Sequence, residues 1–465
     1  METGESFNNG HAVVIGGSIA GLLAGRVLIN HFDKVSIIER DYFPETPAER
    51  KGIPQSTQLH ILLTRGQQIL EDLFPGLRDE IIAQGAVVLD MGRDVEWLSP
   101  FGWAKRFDSG FEALSFTRPI LDWLIHHRLQ AFANLHFIEG GYVTGLINSA
   151  DGTRVKGVKI KTNNQVGKQE VDLDADLVVD ASGYGSYAGK WLNAIGYMAP
   201  EETFITAQIG YASRLYEIPS DFDADWKGVY MQAAPPERTS MGVLYPVEKN
   251  RWVVGVCDTT PGNRLIDESE FLENLRTLPS PIIYEAVKTA KPLTPIRRFQ
   301  PPGNTLRHYE ALKQLPECFV ALGDSVCSFT PIYGQGMTVA ALGVLQLEEC
   351  LIEIKASGTL NGLTAKFQKR LAKINASPWI AATSQDAKYP SVKGITKQPT
   401  GAEKFIGWYM NQVMKLTTKN TQTTLTLFEV FHMLKSAGAL FRPQIILQVL
   451  KQVLTERSDK ISNQS

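Results

Sequence analysis

The stretch HAVVIGGSIAG, residues 11–21, decides the fold. An apolar, strand-forming run over 12–15 leads into a glycine turn, and helix-forming residues follow over 19–28. Gly16 and Gly21 occupy the first and third glycine positions of a G-x-G-x-x-G fingerprint, and Ser18 replaces the middle glycine. A turn of this kind brings backbone N–H groups at a helix N-terminus close to a pyrophosphate. We therefore predict an α/β domain of the Rossmann type with a dinucleotide-binding turn.

A second apolar run, VSIIE at residues 35–39, ends in an acid at the spacing expected for a ligand of a ribose 2′-hydroxyl. A carboxylate at this position would repel a 2′-phosphate, which argues against NADP in this groove. The predicted contacts of this half of the dinucleotide are Gly16, Gly17, Ser18, Ile19, Ala20, Gly21, Glu39 and Arg40.

The stretch FVALGDS, residues 319–325, is a second buried strand, and it ends at an acid, Asp324. Open α/β sheets bind ligands at the carboxyl ends of their strands. After Pro331 the sequence predicts a long helix over 336–354, whose free N–H groups and positive dipole end suit the negative charge of a reduced flavin. Asp324, Gly334, Gly336 and Met337 are the candidate contacts here. Together, the two segments indicate the two ends of one FAD molecule.

With these segments, the chain resembles the flavoprotein monooxygenases of the p-hydroxybenzoate hydroxylase type, whose relatives include squalene epoxidases, flavin halogenases and geranylgeranyl reductases. TRPIL at 117–121 is similar to the helix start whose arginine, here Arg118, contacts the ribityl-phosphate region. RKGIPQ at 50–55, with His60, and CSFTPIYGQGM at 327–337 resemble a bacterial set of FAD-dependent oxidoreductases linked to specialised metabolism. This resemblance adds Arg50 to the candidate flavin contacts.

One motif departs from the aromatic hydroxylases. DLVVDASG at 176–183 occupies the place of a family motif that usually reads Ala-Asp-Gly, and Ser182 stands where the acid is expected. The acid is associated with nicotinamide use, so its loss leaves two sources of electrons open. NAD(P)H could bind transiently, or a separate flavin reductase could supply them. The Trp-x-Trp-x-Ile-Pro motif of the halogenases is absent from the sequence.

The resemblance implies an FAD-dependent monooxygenase that uses O2 and hydroxylates or epoxidises an apolar small molecule through a flavin C4a-hydroperoxide. Two other enzymes stay open: an alkene reductase of the geranylgeranyl reductase type, and a cyclase that keeps FAD without redox chemistry. A lipid-binding protein of the dissociation-inhibitor type is disfavoured, because it has no ribityl chain for Asp324 to hold. No catalytic side chain is predicted, and no spacing of histidine and cysteine indicates a metal site.

Composition limits the partners. The chain has 465 residues, of which 47 are basic and 49 acidic, and its net charge of −2 comes without a basic tail, so we expect no nucleic-acid partner. Residues 1–10 lack the apolar core of a signal peptide, and no run approaches the ~18 apolar residues of a membrane span. The four cysteines form no close pair. We expect a cytoplasmic protein.

The segments interleave along the chain. We predict FAD-binding segments at 11–90, 112–200 and 301–375, with a β-meander among the strands of 135–173. Residues 91–111 and 201–300 are assigned to an antiparallel substrate domain, because runs such as 203–215 and 241–247 alternate apolar and polar residues as half-buried strands do. Two helices are expected at 363–374 and 403–416.

Residues 376–455 are predicted to form a helical C-terminal region. This region is rich in aromatic residues and methionine at helical spacing, for example Phe405, Trp408 and Met414. We expect it to pack as a lid on the other segments. Two further roles stay open: lining an apolar substrate tunnel, and weak association with a membrane surface.

Overall fold

The computed structural model describes residues 7–164, 167–259, 267–355, 357–394 and 400–462. Its helices, in chain order, are α1 (Ile19–Leu28), α2 (Thr64–Leu73), α3 (Leu77–Ala83), α4 (Arg118–Leu129), α5 (Ala188–Ala194), α6 (Glu268–Arg276), α7 (Ile282–Val287), α8 (Gly336–Lys355), α9 (Leu363–Asp386), α10 (Gly401–Leu416), α11 (Thr421–Phe431) and α12 (Pro443–Ser462).

The strands are β1 (Phe7–Ile15), β2 (Phe32–Glu39), β3 (Val87–Asp90), β4 (Val95–Ser99), β5 (Gly102–Trp103), β6 (Glu112–Ser115), β7 (Leu135–Glu139), β8 (Gly141–Asn148), β9 (Val155–Asn164), β10 (Gly167–Asp174), β11 (Leu177–Asp180), β12 (Glu202–Thr206), β13 (Gly210–Glu217), β14 (Gly228–Met231), β15 (Met241–Val247), β16 (Arg251–Asp258), β17 (Arg297–Phe299), β18 (Asn304–Arg307), β19 (Phe319–Ala321), β20 (Cys327–Ser328) and β21 (Lys393–Gly394).

A five-stranded sheet forms the centre of the molecule, in the order β19-β11-β1-β2-β7, and all its pairs are parallel. Helices α1 and α8 pack on it, and residues 12–15 of β1, β11 and β19 are buried as in a sheet whose two faces are covered. The two segments singled out in the sequence, 11–21 and 319–325, therefore contribute β1 and β19 to the same sheet. The predicted α/β class with a Rossmann-like domain is confirmed.

The meander is smaller than predicted. Strands β8, β9 and β10 form an antiparallel sheet of three strands, as expected. The run 135–139, which was predicted to belong with them, instead pairs in parallel with β2 as the edge of the central sheet. The chain leaves that sheet immediately afterwards, at Gly140, whose φ of +67° suits a glycine.

The substrate-side sheet has seven strands in the order β17-β13-β16-β15-β14-β4-β5, so residues 95–103 join strands that follow position 210. The prediction of half-buried strands was wrong for β15, whose seven residues are all buried. Helices α6 and α7 pack on one face together with Leu278 of the turn between them, and side chains that include Leu59 and Leu89 pack on the other. Tertiary contacts on both faces override the alternating pattern.

The single run predicted over 203–215 is two strands. Strand β12 belongs to a four-stranded sheet with β18, β20 and β21, whereas β13 belongs to the seven-stranded sheet. The break falls at Gln208, which has a φ of +56°. A bend of this kind depends on the two sheets and leaves no signal in the apolar pattern.

Helix α9 is longer than predicted. It has 24 residues and runs to Asp386, whereas the apolar spacing indicated an end at Ile374. Pro378 lies inside it and is buried, so packing against the neighbouring strands compensates for the backbone hydrogen bond that proline cannot donate. The boundary predicted between residues 375 and 376 therefore divides a continuous helix.

Helices α10, α11 and α12 pack with each other and against Trp97 and Phe111 of the substrate-side segments. The first two turns of α10 extend into solvent and expose Phe405, Ile406 and Trp408. No helix within the described ranges is long and apolar enough to cross a bilayer.

Candidate active site

Two helix N-termini meet at the carboxyl edge of the central sheet. A Cβ atom added to Gly323, just after β19, would lie 2.9 Å from Cβ of Ala20 in the first turn of α1. A Cβ added to Gly16 would lie 2.6 Å from the carbonyl oxygen of Ala181, just after β11. Three strand ends therefore form one groove at the position where open α/β sheets bind ligands.

The turn at the start of α1 is built for an anion. Gly16 has a φ of +102°, and no side chain caps the first turn of the helix at Ser18. The Ser18 hydroxyl accepts a hydrogen bond of 3.1 Å from Nη2 of Arg118, whose Nε donates to Asp122 at 3.0 Å. Arg118 and Asp122 are both buried. The arginine at the start of α4 thus places a fixed positive charge beside uncapped N–H groups.

Glu39 is the centre of a buried cluster beside this turn. Its Oε2 accepts a 2.7 Å hydrogen bond from the Gly17 N–H and lies 3.0 Å from Nη2 of Arg50. Nη1 of Arg50 donates to the carbonyl oxygen of Gly17 at 2.8 Å. The guanidinium lies 4.2 Å from the ring centroid of Phe43, which stacks on His126 at 3.9 Å. Arg50 therefore fixes the glycine turn and the acid together.

We expect Arg50→Met to lower the free energy of unfolding by about 3 kcal/mol, because it leaves the Glu39 carboxylate buried without its cation. Chemical denaturation measures this change. The matched control is Arg40→Met, since Arg40 is exposed and its loss should stay within about 0.5 kcal/mol. The double variant Glu39→Gln/Arg50→Met should recover part of the loss; a double variant no more stable than Arg50→Met alone would contradict this pairing.

Asp324 lies at the floor of the groove, in the short turn after β19, and its side chain is half-buried. Burial raises the pKa of Asp324 to about 6, against the opposing charges of Arg118 and Arg307. Arg307 also donates to the carbonyl oxygens of Asp324 and Ser325, at 3.3 and 3.1 Å. The carboxyl group is thus a hydrogen-bond acceptor without a direct salt bridge among the described residues. Arg307 could not be predicted, because it belongs to no motif in the sequence.

Ser182 has a structural partner. Its hydroxyl donates to Oδ1 of Asp180 at 2.6 Å, and the Ser186 hydroxyl donates to Oδ2 at 2.5 Å. Asp180 is fully buried, and burial raises its pKa. An acid at position 182 would place a second carboxylate beside a buried one, which is unfavourable. The serine is therefore matched to the acid two residues before it.

The N-terminus of α8 forms the other wall of the groove. Gly334 has a φ of +64°, and a Cβ added to Gly336 would meet no atom within 4 Å, so space is open in front of this helix. Oε1 of Gln335 is buried and has no hydrogen-bond partner among the described residues. Met337 is buried. The position therefore offers a ligand an unpaired polar group and an open helix end.

A cleft adjoins the α8 end of the groove. It has a volume of about 680 Å³, counted with the solvent-open space at its mouth. Its lining residues come from the segment before α2, from the seven-stranded sheet and from the loop before α8: Gln55, Gln58, Leu59, His60, Ile61, Tyr211, Ala212, Ser213, Tyr230, Met241, Val243, Gly255, Val256, Cys257, Phe299, Pro331, Ile332 and Gly334. None of these lies beyond α8, so the described C-terminal helices do not line this cleft.

A buried acid supports the loop before α8 and was missed in the sequence. Asp386, at the end of α9, accepts hydrogen bonds from Asn304 Nδ2 at 2.7 Å, from Thr330 Oγ1 at 3.1 Å and from the Tyr333 hydroxyl at 2.8 Å. Burial raises the pKa of Asp386. These residues are distant in sequence, and the predicted end of α9 excluded Asp386, so no local pattern could have identified them.

The structure brings most of the predicted contacts to one groove. Residues 16–21, Glu39, Arg50 and Arg118 surround the N-terminus of α1, and Asp324, Gly334, Gly336 and Met337 surround that of α8. Arg40 is the exception: its side chain is exposed and its Nη2 is 3.4 Å from the carbonyl oxygen of Gly52. Within the described ranges, no group of three histidine, cysteine or acidic side chains is placed to hold a metal ion.

Comparison with solved structures defines the class of fold. The flavin-dependent brominase Bmp2 superposes with a TM-score of 0.63 at 16% identity, over 95% of this chain and 100% of that one. PqsL of Pseudomonas aeruginosa, described as a probable FAD-dependent monooxygenase, superposes with a TM-score of 0.57 at 14% identity, over 89% of this chain and 98% of that one. The chain thus has the fold of the flavin-dependent halogenases and monooxygenases.

A closer relative gives the family. Protein Rv3254 of Mycobacterium tuberculosis is 33% identical over 388 residues, which cover 82% of this chain and 80% of that protein. The chain belongs to the same family as Protein Rv3254. No family model matches the sequence.

Proposed function

We propose that this protein is an FAD-dependent monooxygenase that hydroxylates or epoxidises an apolar small molecule. The observation that carries the proposal is that the apolar cleft adjoins the groove at the N-terminus of α8. Pro331, Ile332 and Gly334 line the cleft, and the same residues form the turn that leads into this helix. A substrate in the cleft would therefore lie against a ring held at that helix. The fold shared with flavin-dependent halogenases and monooxygenases supports the same reaction class.

Residues of the groove suit the pyrophosphate and the ribityl chain of FAD. The proposed contacts are Gly16, Gly17, Ser18, Ile19, Ala20, Gly21, Glu39, Arg40, Arg50, Arg118, Asp324, Gly334, Gly336 and Met337; Arg40 alone has its side chain exposed beside the groove. The α1 turn and Arg118 suit the pyrophosphate, and Asp324 suits a ribityl hydroxyl. FAD supplies the redox chemistry when bound. Asp386 accepts hydrogen bonds from Asn304, Thr330 and Tyr333, and so fixes the loop that borders both the proposed ring position and the cleft.

The cleft itself contains no activated nucleophile. Burial raises the pKa of the Cys257 thiol, so it stays protonated at neutral pH and a thiolate is not available. Ser213 donates its hydroxyl to Oε1 of Gln58 at 2.8 Å. Apolar and aromatic walls exclude water around the reacting atoms. This cleft can bind and orient a substrate, but the oxidation must come from the cofactor and O2.

In this reaction one oxygen atom of O2 enters the substrate and the other leaves as water, with two electrons from a donor. We propose NAD(P)H or a partner flavin reductase as the donor. Ser182 does not decide between the two donors: its hydroxyl donates to Asp180, so the acid associated with nicotinamide use is missing, and a partner reductase would not need that acid.

The test starts with the purified protein and added FAD. We expect a bound flavin with an absorbance band at about 450 nm. Anaerobic titration with NADPH and then NADH should bleach this band if the protein accepts electrons directly. A band that persists with both donors but bleaches with an added flavin reductase would assign the electrons to a partner.

Oxygen-18 then separates the reaction classes. With 18O2 and a bound aromatic probe, one heavy oxygen in the product indicates a monooxygenase. Consumption of donor with saturation of a double bond and no heavy oxygen would instead indicate an alkene reductase. Protein that stays colourless at saturating FAD would contradict the proposal altogether.

A further inference from the structure

The segment between Gln58 and α2 is attached to the roof of the cleft. Nε2 of Gln58 donates to the carbonyl oxygen of Arg297 on β17 at 3.2 Å, and its Oε1 accepts from Ser213 on β13 at 2.8 Å. Leu59 packs among Val243 and other residues of the same sheet. The backbone that carries His60 is therefore fixed relative to the walls of the cleft.

The contact of His60 defines its tautomer. Nδ1 lies 3.0 Å from the carbonyl oxygen of Gln58, and a carbonyl can only accept, so Nδ1 carries the proton. Burial, together with the charge of Arg118, lowers the pKa of His60 to about 3. The ring is neutral over the physiological range, and Nε2 is left as a lone-pair acceptor. No hydrogen bond to Nε2 is present among the described residues.

The remaining lining shows what this acceptor can recognise. No aspartate, glutamate, lysine or arginine lines the cleft within the described ranges. Tyr211, Tyr230 and Phe299 provide aromatic walls, and Met241, Val256 and Ile332 add apolar ones. A carboxylate in this space would meet no lysine or arginine among the lining residues and would lie near a ring nitrogen with its lone pair, which is unfavourable. A neutral ligand with a donor group would satisfy Nε2 instead.

We propose that His60 is a specificity-determining residue: its Nε2 accepts a hydrogen bond from a hydroxyl or N–H group of a neutral, otherwise apolar aromatic substrate. The inference rests on the proposed function, since it assumes that the cleft is the substrate site. Sites that hydrogen-bond a substrate donor reject analogues that lack it, because the buried partner is then unpaired. The cleft therefore selects for a donor and against an anion.

The experiment uses equilibrium dialysis to measure the affinity of the FAD-loaded protein for three probes: 2-naphthol, naphthalene and 2-naphthoate. We expect 2-naphthol to bind about fivefold to tenfold more tightly than naphthalene, the ratio for one neutral hydrogen bond, and 2-naphthoate to bind most weakly. His60→Phe keeps a ring and removes the acceptor, so it should reduce the 2-naphthol to naphthalene ratio to about one. His60→Gln keeps an acceptor and should retain part of the preference. His136→Phe makes the same change at an exposed histidine of β7 that does not line the cleft, and it should leave the ratio unchanged.

The inference would be overturned by an unchanged ratio in His60→Phe, by a preference for 2-naphthoate, or by no binding of either neutral probe. A fall in FAD affinity in His60→Phe with the probe ratio intact would also overturn it, because His60 would then serve the cofactor. Failure of the proposed function is detected by different measurements, namely the flavin content of the protein and the incorporation of oxygen-18 into the product. The dialysis ratio is measurable on the protein as purified, even if it binds no FAD.

Discussion

Gly21→Ala is expected to abolish FAD binding and to lower the free energy of unfolding by more than about 4 kcal/mol, the range reached only by severe local damage. A Cβ atom at this position would lie 1.8 Å from the carbonyl oxygen of Gly16 and 2.9 Å from its carbonyl carbon. Neither atom belongs to a flexible side chain, so the turn itself must open. The N–H groups of α1 would then no longer converge on one point.

Flavin content and thermal or chemical unfolding measure the two effects together. The matched control is Gly407→Ala in α10, where an added Cβ meets no atom within 4 Å. That change should stabilise the protein by about 0.5–1 kcal/mol, because alanine is the better residue in a helix interior. A Gly21→Ala protein that melts with the wild type and keeps its flavin would show that the turn does not have this geometry.

Asp324→Asn should weaken FAD retention by about tenfold to a hundredfold, because a hydrogen bond to a charged acceptor is worth about twice a neutral one. The affinity of the wild type should also fall as the pH drops below about 6, since the pKa of Asp324 is raised to about 6 and the protonated acid is a weaker acceptor. In the asparagine variant this pH dependence should disappear. Fluorescence of free flavin during dilution measures the affinity at each pH.

The same substitution should stabilise the protein without cofactor. The pKa of Asp324 lies above its ordinary value of 3.8 in the folded chain, so ionisation costs more in the folded state than in the unfolded one. Stability is therefore lost as the pH rises from about 4 to about 6, by about 1–2 kcal/mol for a half-buried group that water still reaches. Asparagine avoids this cost at neutral pH. An asparagine variant that is less stable in the absence of FAD, or one that retains FAD fully, would contradict the assignment.

Those parts of the candidate site whose residues lie close together in the chain could be predicted from the sequence. The turn at 16–21, the acid at 39 and the start of α8 follow from spacing alone, because backbone hydrogen bonding within a few residues determines each of them. Arg118 and Arg50 came from resemblance, and the structure gives each a physical role beside Ser18 and Glu39.

What could not be predicted depends on contacts between distant segments. The division of 203–215 into two strands is determined by two sheets that compete for one run, and Pro378 remains inside α9 because its surroundings are packed. Arg307 and Asp386 enter the site from segments without a motif. A single sequence records the identity of such residues but not which distant partners they meet.

The position of Asp386 has a consequence for synthesis of the chain on the ribosome. The carboxylate can fix Asn304, Thr330 and Tyr333 only after α9 has emerged from the ribosome. Strand β19 and helix α8 are also synthesised long after β1, because about 300 residues of sequence lie between them. A nascent chain that ends before residue 386 has its β1–α1 turn but lacks a supported second wall. Contacts between residues so distant in sequence form slowly. Until β19 is added, the central parallel sheet exposes an apolar edge at β11. We therefore expect the proposed cofactor to bind only late in synthesis, after α9 has folded against the loop before α8.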